Sequence, residues 1–282
     1  MIQVVLATAI GVAQTGTALD VVDPNDPITI LAPLVAVLWP RGNPPSVSDG
    51  AGEIDRFAFT YIDGGWFGSE AGAGFASTIP DNTVAHYDAS QLSLNDGDTV
   101  SVWPDEQGDN DLDIQTGSPT YVESGINGNP AIAFNGDGLE VTGLSVNQPN
   151  TTYVVFEYQS ENFDEGRVLS GVSERQATAW AYSGTNEWRT YAGLPLRGSN
   201  DLGIQQMTAV FDGGNSIIRE DGVETAVGDA GTNDLGGLSV GYDAHRGSDY
   251  ADAYVSEIVI VNSGSVDLDF ENQLLEKWGI TA

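Results

Sequence analysis

Within the twelve residues from Trp180 to Tyr191 lie Trp180, Tyr182, Trp188, Arg189 and Tyr191. Aromatic faces stack on sugar rings, and a guanidinium pairs with the carboxylate of an acidic glycan. On a hairpin these side chains make a ligand-contacting surface, unless Trp180 and Trp188 fill the space between two sheets. A second group, Tyr242, His245, Arg246 and Tyr250, sits in a stretch with polar flanks and is expected at the surface between two strands. A third, Asp105, Asp109, Asp111 and Asp113, offers oxygens at the close spacing Ca²⁺ requires, although the string does not fit an EF-hand loop. Its competing account is a solvated acidic turn. The acidic stretch Asp243 to Asp252 is a weaker Ca²⁺ candidate, and no other cofactor is implied.

Other chemistries are excluded by composition. There is no cysteine, which removes disulfides, thiolate metal sites and thiol nucleophiles together. The two histidines, His86 and His245, are isolated, and neither a P-loop nor an H-E-x-x-H pattern occurs.

Charge sets the surroundings these groups work in. Forty-one acidic residues face nine basic ones, only Lys277 is a lysine, and the net charge is −32 over 282 residues. Such a surface repels itself in dilute buffer, and at molar salt a Debye length of about 3 Å screens that repulsion. A high-salt origin follows, because an ordinary acidic protein does not dispense with lysine. The chain is not disordered, since 40% of it is apolar and its glycines sit in turns. A body this negative does not bind DNA, RNA or an anionic membrane without a dense basic patch, and the eight arginines are spread singly. The start, Met1 to Leu6, lacks a basic n-region, so export by the ordinary route is not expected. The longest apolar run, Ile28 to Trp39 with Pro33 inside, is too short to span a bilayer, which needs about 20 residues.

The acid is unevenly spread. Residues 1–82 carry nine acidic and two basic side chains, net −7, against 32 and seven, net −25, in residues 83–282. The glycine-rich stretch Asp63 to Gly74, followed by Ile79-Pro80-Asp81-Asn82, reads as loop and linker and puts a domain boundary near residue 82. Ahead of it, the alternation in Phe57 to Ile62 predicts a strand, Ile28 to Leu31 and Leu34 to Trp39 predict two more, and Ile2 to Val12 stays open between strand and helix. This small β-rich domain has a thin core and low charge, which suits anchoring or oligomerisation.

Behind the boundary, eleven short runs predict strands: Val84–Tyr87, Thr99–Trp103, Ala131–Phe134, Thr151–Tyr158, Val168–Val172, Ala177–Tyr182, Trp188–Tyr191, Met207–Phe211, Ser216–Glu220, Leu238–Tyr242 and Tyr254–Val261. Turn residues such as Asn127-Gly128 and Asp221-Gly222 separate many of them, so an all-β sandwich or barrel follows. One helix closes the chain. Its apolar stripe is Phe270, Leu274, Leu275 and Trp278, with Asp267 and Asp269 at its start, Lys277 at its end and Gly279 at the C-cap.

An ordered set of motifs carries a resemblance. His86-Tyr87-Asp88-Ala89-Ser90, Val102-Trp103-Pro104-Asp105, Gly108-Asp109-Asn110, Gly125-Ile126-Asn127-Gly128-Asn129-Pro130, Thr208-Ala209-Val210-Phe211-Asp212-Gly213, Ser256-Glu257-Ile258-Val259 and Glu276-Lys277-Trp278-Gly279-Ile280 follow one another. Residues 84–281 thereby resemble the concanavalin A-like (laminin-G-like) lectin/glucanase domains of virus and bacterial surface proteins. The resemblance implies a two-sheet jelly-roll sandwich that binds glycans or proteins. Some members of that clan hydrolyse glycans with a carboxylate pair spaced Glu-x-Asp-x-Glu. Here Glu53-Ile54-Asp55-Arg56 lacks the last glutamate, and Asp267 to Glu271 sits on the predicted helix, so the chain is expected not to be an enzyme.

Taken with the charge and the poor leader, the resemblance implies a virion surface protein of a haloarchaeal virus. It would be a capsid spike or turret, or a tail fibre, made in the host cytoplasm. The sandwich, residues 83–282, would adhere to host surface glycans or glycoproteins. Residues 1–82 would hold other virion proteins and build a pentamer at a capsid vertex or a trimer on a fibre. The alternatives are a haloarchaeal cell-surface carbohydrate-binding protein and a glycan hydrolase.

Overall fold

The computed structural model describes residues 79–281 except Glu174 and, ahead of them, three strands: β1 (Val37–Leu38), β2 (Phe57–Ile62) and β3 (Gly65–Glu70). The chain divides into two compact units, Met1–Thr78 and Ile79–Ala282.

In the first unit β2 and β3 are antiparallel, with Ile62 opposite Gly65 and only Asp63 and Gly64 between them. Asp-Gly is a favoured two-residue connection between paired strands. β1 lies parallel to β3. The expectation of loop over Asp63 to Gly74 is therefore corrected: Gly65 and Gly68 hide the period of β3, and its ladder comes from β2. Ile2 to Val12 and Ile28 to Leu31 lie outside the described residues.

The boundary also moves from 82 to 78. Thr83 donates to the Pro80 carbonyl through N (3.2 Å) and Oγ1 (2.7 Å), and Asn262 N donates to the Asn82 carbonyl at 3.0 Å. Residues 79–82 thus belong to the sandwich.

That sandwich has two sheets whose strand pairs are all antiparallel. Sheet I runs β17 (Val223–Gly228), β16 (Ser216–Glu220), β15 (Gln206–Phe211), β10 (Asn150–Tyr158), β19 (Asp252–Val261), β8 (Asn129–Asn135), β7 (Thr120–Ile126), with β4 (Thr83–Asp88) on the other half of β19. Sheet II runs β14 (Pro195–Arg197), β13 (Glu187–Tyr191), β12 (Ala177–Tyr182), β11 (Arg167–Ser170), β18 (Leu235–Val240), β9 (Gly138–Val146), β6 (Leu112–Thr116), β5 (Val102–Trp103). The all-β, two-sheet expectation holds. Strands β6, β7, β9, β14 and β17 escaped the sequence. Exposed positions alternate poorly in them, as in Val223 to Gly228, where no residue is buried.

Alternate residues of each strand fill the space between the sheets. Val154 and Phe156 of β10 and Ile258 and Ile260 of β19 point there, beside Tyr87, Trp103, Phe134 and Phe211. Burying one such side chain stabilises by about 1.5–3 kcal/mol. Their neighbours Tyr153, Val155, Val259 and Val261 face the other way, under the helix α1 (Leu268–Trp278). Asp267 caps that helix by accepting from Phe270 N at 3.0 Å, and Gly279 ends it with φ of 66°, where a Cβ would be strained. α1 therefore covers the outer face of sheet I. It is the α-helix among the described residues, none of whose helices is long and apolar enough to cross a membrane.

Candidate functional site

The outer face of sheet II gathers most of the chemistry. On the β12–β13 hairpin, Ala179, Ala181 and Trp188 point into the core, while Trp180, Tyr182, Glu187, Arg189 and Tyr191 lie on the opposite side. The two tryptophans thus part company. Trp188 is fully buried and meets Phe156, Tyr158 and Phe163 edge to face, with ring centroids 5.2, 5.2 and 5.6 Å away. The hairpin register separates them, since Trp180 opposes Arg189 while Trp188 opposes Ala181; just before this lies a β-bulge, where Ala177 opposes Tyr191, three steps against two. Ala179 inside the bulge takes φ of 53°, an uncommon conformation for a residue with a Cβ. Bulges of this kind re-aim side chains and cluster near functional sites.

Around Trp180 the guanidiniums converge. Arg167 and Arg189 lie 4.5 and 5.4 Å from its ring centroid, and Arg189 also sits 3.4 Å over Tyr182. Arg175 lies 5.0 Å over Tyr191. The faces of Trp180 are therefore occupied by cations, and the rings left partly open are Tyr182 and Tyr191. Glu187 steadies this side by accepting from Arg189 Nε at 2.7 Å and pairing with Arg197 at 3.5 Å.

The loop between β18 and β19 closes onto the same face. Gly241, φ 84°, starts it where an added Cβ would stand 2.4 Å from Phe134. Asp243 is fully buried, and one of its oxygens accepts from Arg167 Nη1 (2.5 Å) and Arg175 Nη2 (3.0 Å), with Arg246 at 3.8 Å. Its other oxygen accepts from His245 N at 3.1 Å and Ser170 Oγ at 3.3 Å. Asp249 accepts from Arg167 and Arg246. Burial would raise the Asp249 carboxyl, but Arg167 outweighs it and holds the group below the usual carboxylate range. Burial likewise pulls the Arg167 guanidinium below its ordinary value, against Asp243 and Asp249.

Both sequence-derived clusters thus share one face, joined through Arg167. His245, Arg246 and Tyr250 are exposed as expected. Tyr242 is not. It is buried, its ring presses on Gly138 and stacks on Tyr250 at 5.8 Å, and its hydroxyl donates to Glu140. Burial and that carboxylate keep the phenol protonated well above its ordinary range. The arginines prove not to be spread singly in space, because five of the six in the second unit, Arg167, Arg175, Arg189, Arg197 and Arg246, form this group. Sequence reasoning missed Arg167, Arg175 and Glu187, and had Asp243 only as the start of a weaker Ca²⁺ stretch, whereas its oxygen accepts from two arginines. The available signal was three arginines within 23 residues of a lysine-poor chain.

The acidic loop is built differently. The Asp105 carboxylate accepts from His86 N (2.9 Å), Gln107 N (3.0 Å) and Asn110 N and Nδ2 (3.3 and 3.1 Å), and Asp111 accepts from Asp105 N at 2.9 Å. These oxygens are already taken by N–H donors, whose positive hydrogens would face a cation, and Asp109 and Asp113 stay exposed, so these residues do not fit a Ca²⁺ cage. Among the described residues the one group with converging ligand atoms is His86, Asp88 and Glu257, all buried. Its cation is already present: Lys277 Nζ donates to Asp88 (2.8 Å) and Glu257 (2.6 Å).

Gly237-Leu238-Ser239-Val240-Gly241 has the G-x-S-x-G spacing of a nucleophile elbow. Ser239 is fully buried inside β18, with Oγ 3.0 and 2.9 Å from the carbonyls of Ser170 and Tyr242 and no imidazole among its partners. It lacks the exposure and the base a nucleophile needs. A concavity of about 490 Å³ lies elsewhere, between Pro80, Tyr153, Val261 and the start of α1, and its Tyr153 and Asp267 are bonded to each other.

No protein-family model and no curated protein sequence matches this chain. Solved structures do. Domain 4 of AbnA, a GH43 extracellular arabinanase from Geobacillus stearothermophilus in complex with arabinotriose, superposes with a TM-score of 0.52 at 15% identity, over 68% of this chain and 98% of that one. The binding domain of Paraclostridial Mosquitocidal Protein 1 gives 0.49 at 11% identity, over 70% and 52%. A Trypanosoma rangeli sialidase gives 0.46 at 14% identity over 72% of this chain, which spans only 34% of the sialidase. The expectation that the chain is not an enzyme is corrected, since the fold occurs as a domain of a protein named as an arabinanase and so gives no ground for that exclusion. The fold is a two-sheet β-sandwich similar to that arabinanase domain.

Proposed function

We propose that the sandwich is a glycan-binding head whose contact surface is the outer face of sheet II. One observation carries this: a chain of net charge −32 concentrates five guanidiniums and the rings of Trp180, Tyr182, Tyr191 and Tyr250 on one face. Tyr182, Tyr191 and Tyr250 offer partly open rings, while the ion pairs of Asp243 and Glu187 hold the cations in place. Preorganised aromatic and arginine anchors of this kind dominate binding surfaces. The arabinanase domain that shares the fold was solved with arabinotriose, which supports a sugar as the ligand.

The setting is part of the same proposal. The head acts on a virion of a salt-loving archaeon and adheres to host surface glycans or glycoproteins, with the N-terminal unit docking to other virion proteins and forming the homo-oligomer. The charge and the resemblance to virus surface domains support it.

Two substitutions test the face. Tyr182→Ala with Tyr191→Ala, and Arg246→Ala with Tyr250→Ala, should each weaken binding to host-surface polysaccharide by about 1–3 kcal/mol. The melting temperature should hardly move for the second pair, whose side chains are exposed. Undiminished affinity in both would remove this face from the binding site. Reducing ends released in the same incubation read out any cleavage.

A further inference from the structure

We infer that the glycan held by this face is acidic, with an anionic group of the sugar seated between Arg175 and Arg246. This rests on the glycan-binding reading and narrows its ligand class.

The local charge is the first reason. Arg167, Arg175 and Arg246 converge on Asp243, and among the described residues the one further carboxylate they contact is Asp249. Three cations against two anions leave positive charge beside a side chain, Arg167, that is fully enclosed. Uncompensated charge in so sheltered a place is costly, and an incoming anion lowers that cost. Burial already bears on the Arg167 guanidinium.

The second reason is the count of donors. Arg167 Nε and Nη2, Arg175 Nε and Trp180 Nε1 are buried and have no acceptor among the described residues. Native structures leave few such groups unpaired, and each one calls for an explanation. Arg167 is shut off from solvent and positions the others. Arg175 and Arg246 reach the surface, with 16% and 52% of their side chains exposed, so they make the contact. Tyr191 under Arg175 supplies a ring face next to it.

The overall charge of −32 does not forbid an anionic ligand. At molar salt repulsion beyond about 3 Å is screened, whereas hydrogen-bonded pairs at contact distance inside a sheltered site are screened much less. Carboxylate and sulfate ester share this chemistry, and the test separates them.

The full chain in molar NaCl is titrated with polygalacturonate, its carboxyl-reduced product, dextran sulfate, dextran and linear arabinan. Polygalacturonate should bind at least tenfold more tightly than its reduced product. Arg175→Gln should remove that preference, and Arg175→Lys, which keeps the charge but not the fork, should restore part of it. Binding to dextran sulfate but not polygalacturonate would support the inference with sulfate as the anion. Equal binding to acidic and reduced polymers, or binding to arabinan or dextran alone, would overturn the acidic ligand and leave the glycan head standing. Binding to none of the five would overturn the inference. An acid preference that survives Arg175→Gln would also overturn it, by placing the anion elsewhere.

Discussion

Two buried ionic clusters sit on opposite sheets and differ in what they leave over. On sheet I, Glu257 accepts from His86 Nε2 (2.8 Å), Lys277 Nζ (2.6 Å) and Trp278 Nε1 (2.6 Å), and Lys277 also bonds Asp88. Every oxygen there has a donor, and the effect is to clamp the last turn of α1 to β19 and β4. On sheet II the guanidiniums outnumber the carboxylates, and donors of Arg167 and Arg175 remain unmatched. In the first cluster His86 Nδ1 has no partner among the described residues but every carboxylate oxygen is satisfied, which closes a structure, while the arginine excess of the second is where we place the ligand's anion.

Breaking the matched cluster should have the largest effect. Lys277→Met leaves Asp88 and Glu257 buried without their cation, and the unfolding free energy should fall by about 3 kcal/mol in denaturant titrations. Glycan affinity of the folded fraction should not change. A loss of affinity with stability intact would erase the distinction between the clusters.

Asp243→Asn is the counterpart on sheet II. It removes the charge shared by Arg167, Arg175 and Arg246, and should cost about 2 kcal/mol of stability. Glycan binding should fall as well, because the loop and the hairpin lose their common anchor. Stability lost without any change in binding would make this cluster as purely structural as the other.

Acid should act on both, and least of all near neutrality. Asp88 feels burial, which raises its carboxyl, but Lys277 and Ser90 together hold it below the usual range, as Arg167 does for Asp249. A depressed carboxyl contributes stability that is complete above its unfolded value of about 3.9 and is lost as pH falls through the folded value. Glu220 and Asp221 run the other way, raised mainly by burial, so their protonation on mild acidification relieves strain. Stability at constant salt should therefore rise slightly towards about pH 5 and drop below about pH 4. Lys277→Met should flatten part of the drop, and an unaltered profile would mean that Asp88 contributes nothing to it.

Much of the fold was legible because its signals are local. Thr151 to Tyr158 and Tyr254 to Val261 are β-branched and aromatic runs bounded by turn residues, and both became central strands. The helix showed its stripe and both caps within a dozen residues. Strands such as Val223 to Gly228 and Glu187 to Tyr191 differ in this respect: the first has no buried face to imprint a period, the second carries it openly. For the site, the aromatic and arginine types were visible, but Trp180 and Trp188 looked equivalent. The register of the hairpin decides between them, because pairing with β13 sets Trp180 opposite Arg189 and Trp188 opposite Ala181.

What the sequence determined alone was everything additive: the charge of −32, the lack of thiols, the sandwich class and the capped helix. What only the tertiary structure decided was company. Arg167 meets Asp243 and Asp249 across 76 and 82 residues, and Lys277 meets Asp88 across 189. Side-chain period and capping are set by neighbours within a turn or two, whereas these meetings depend on strand order and register, which follow from how the whole chain buries its apolar faces.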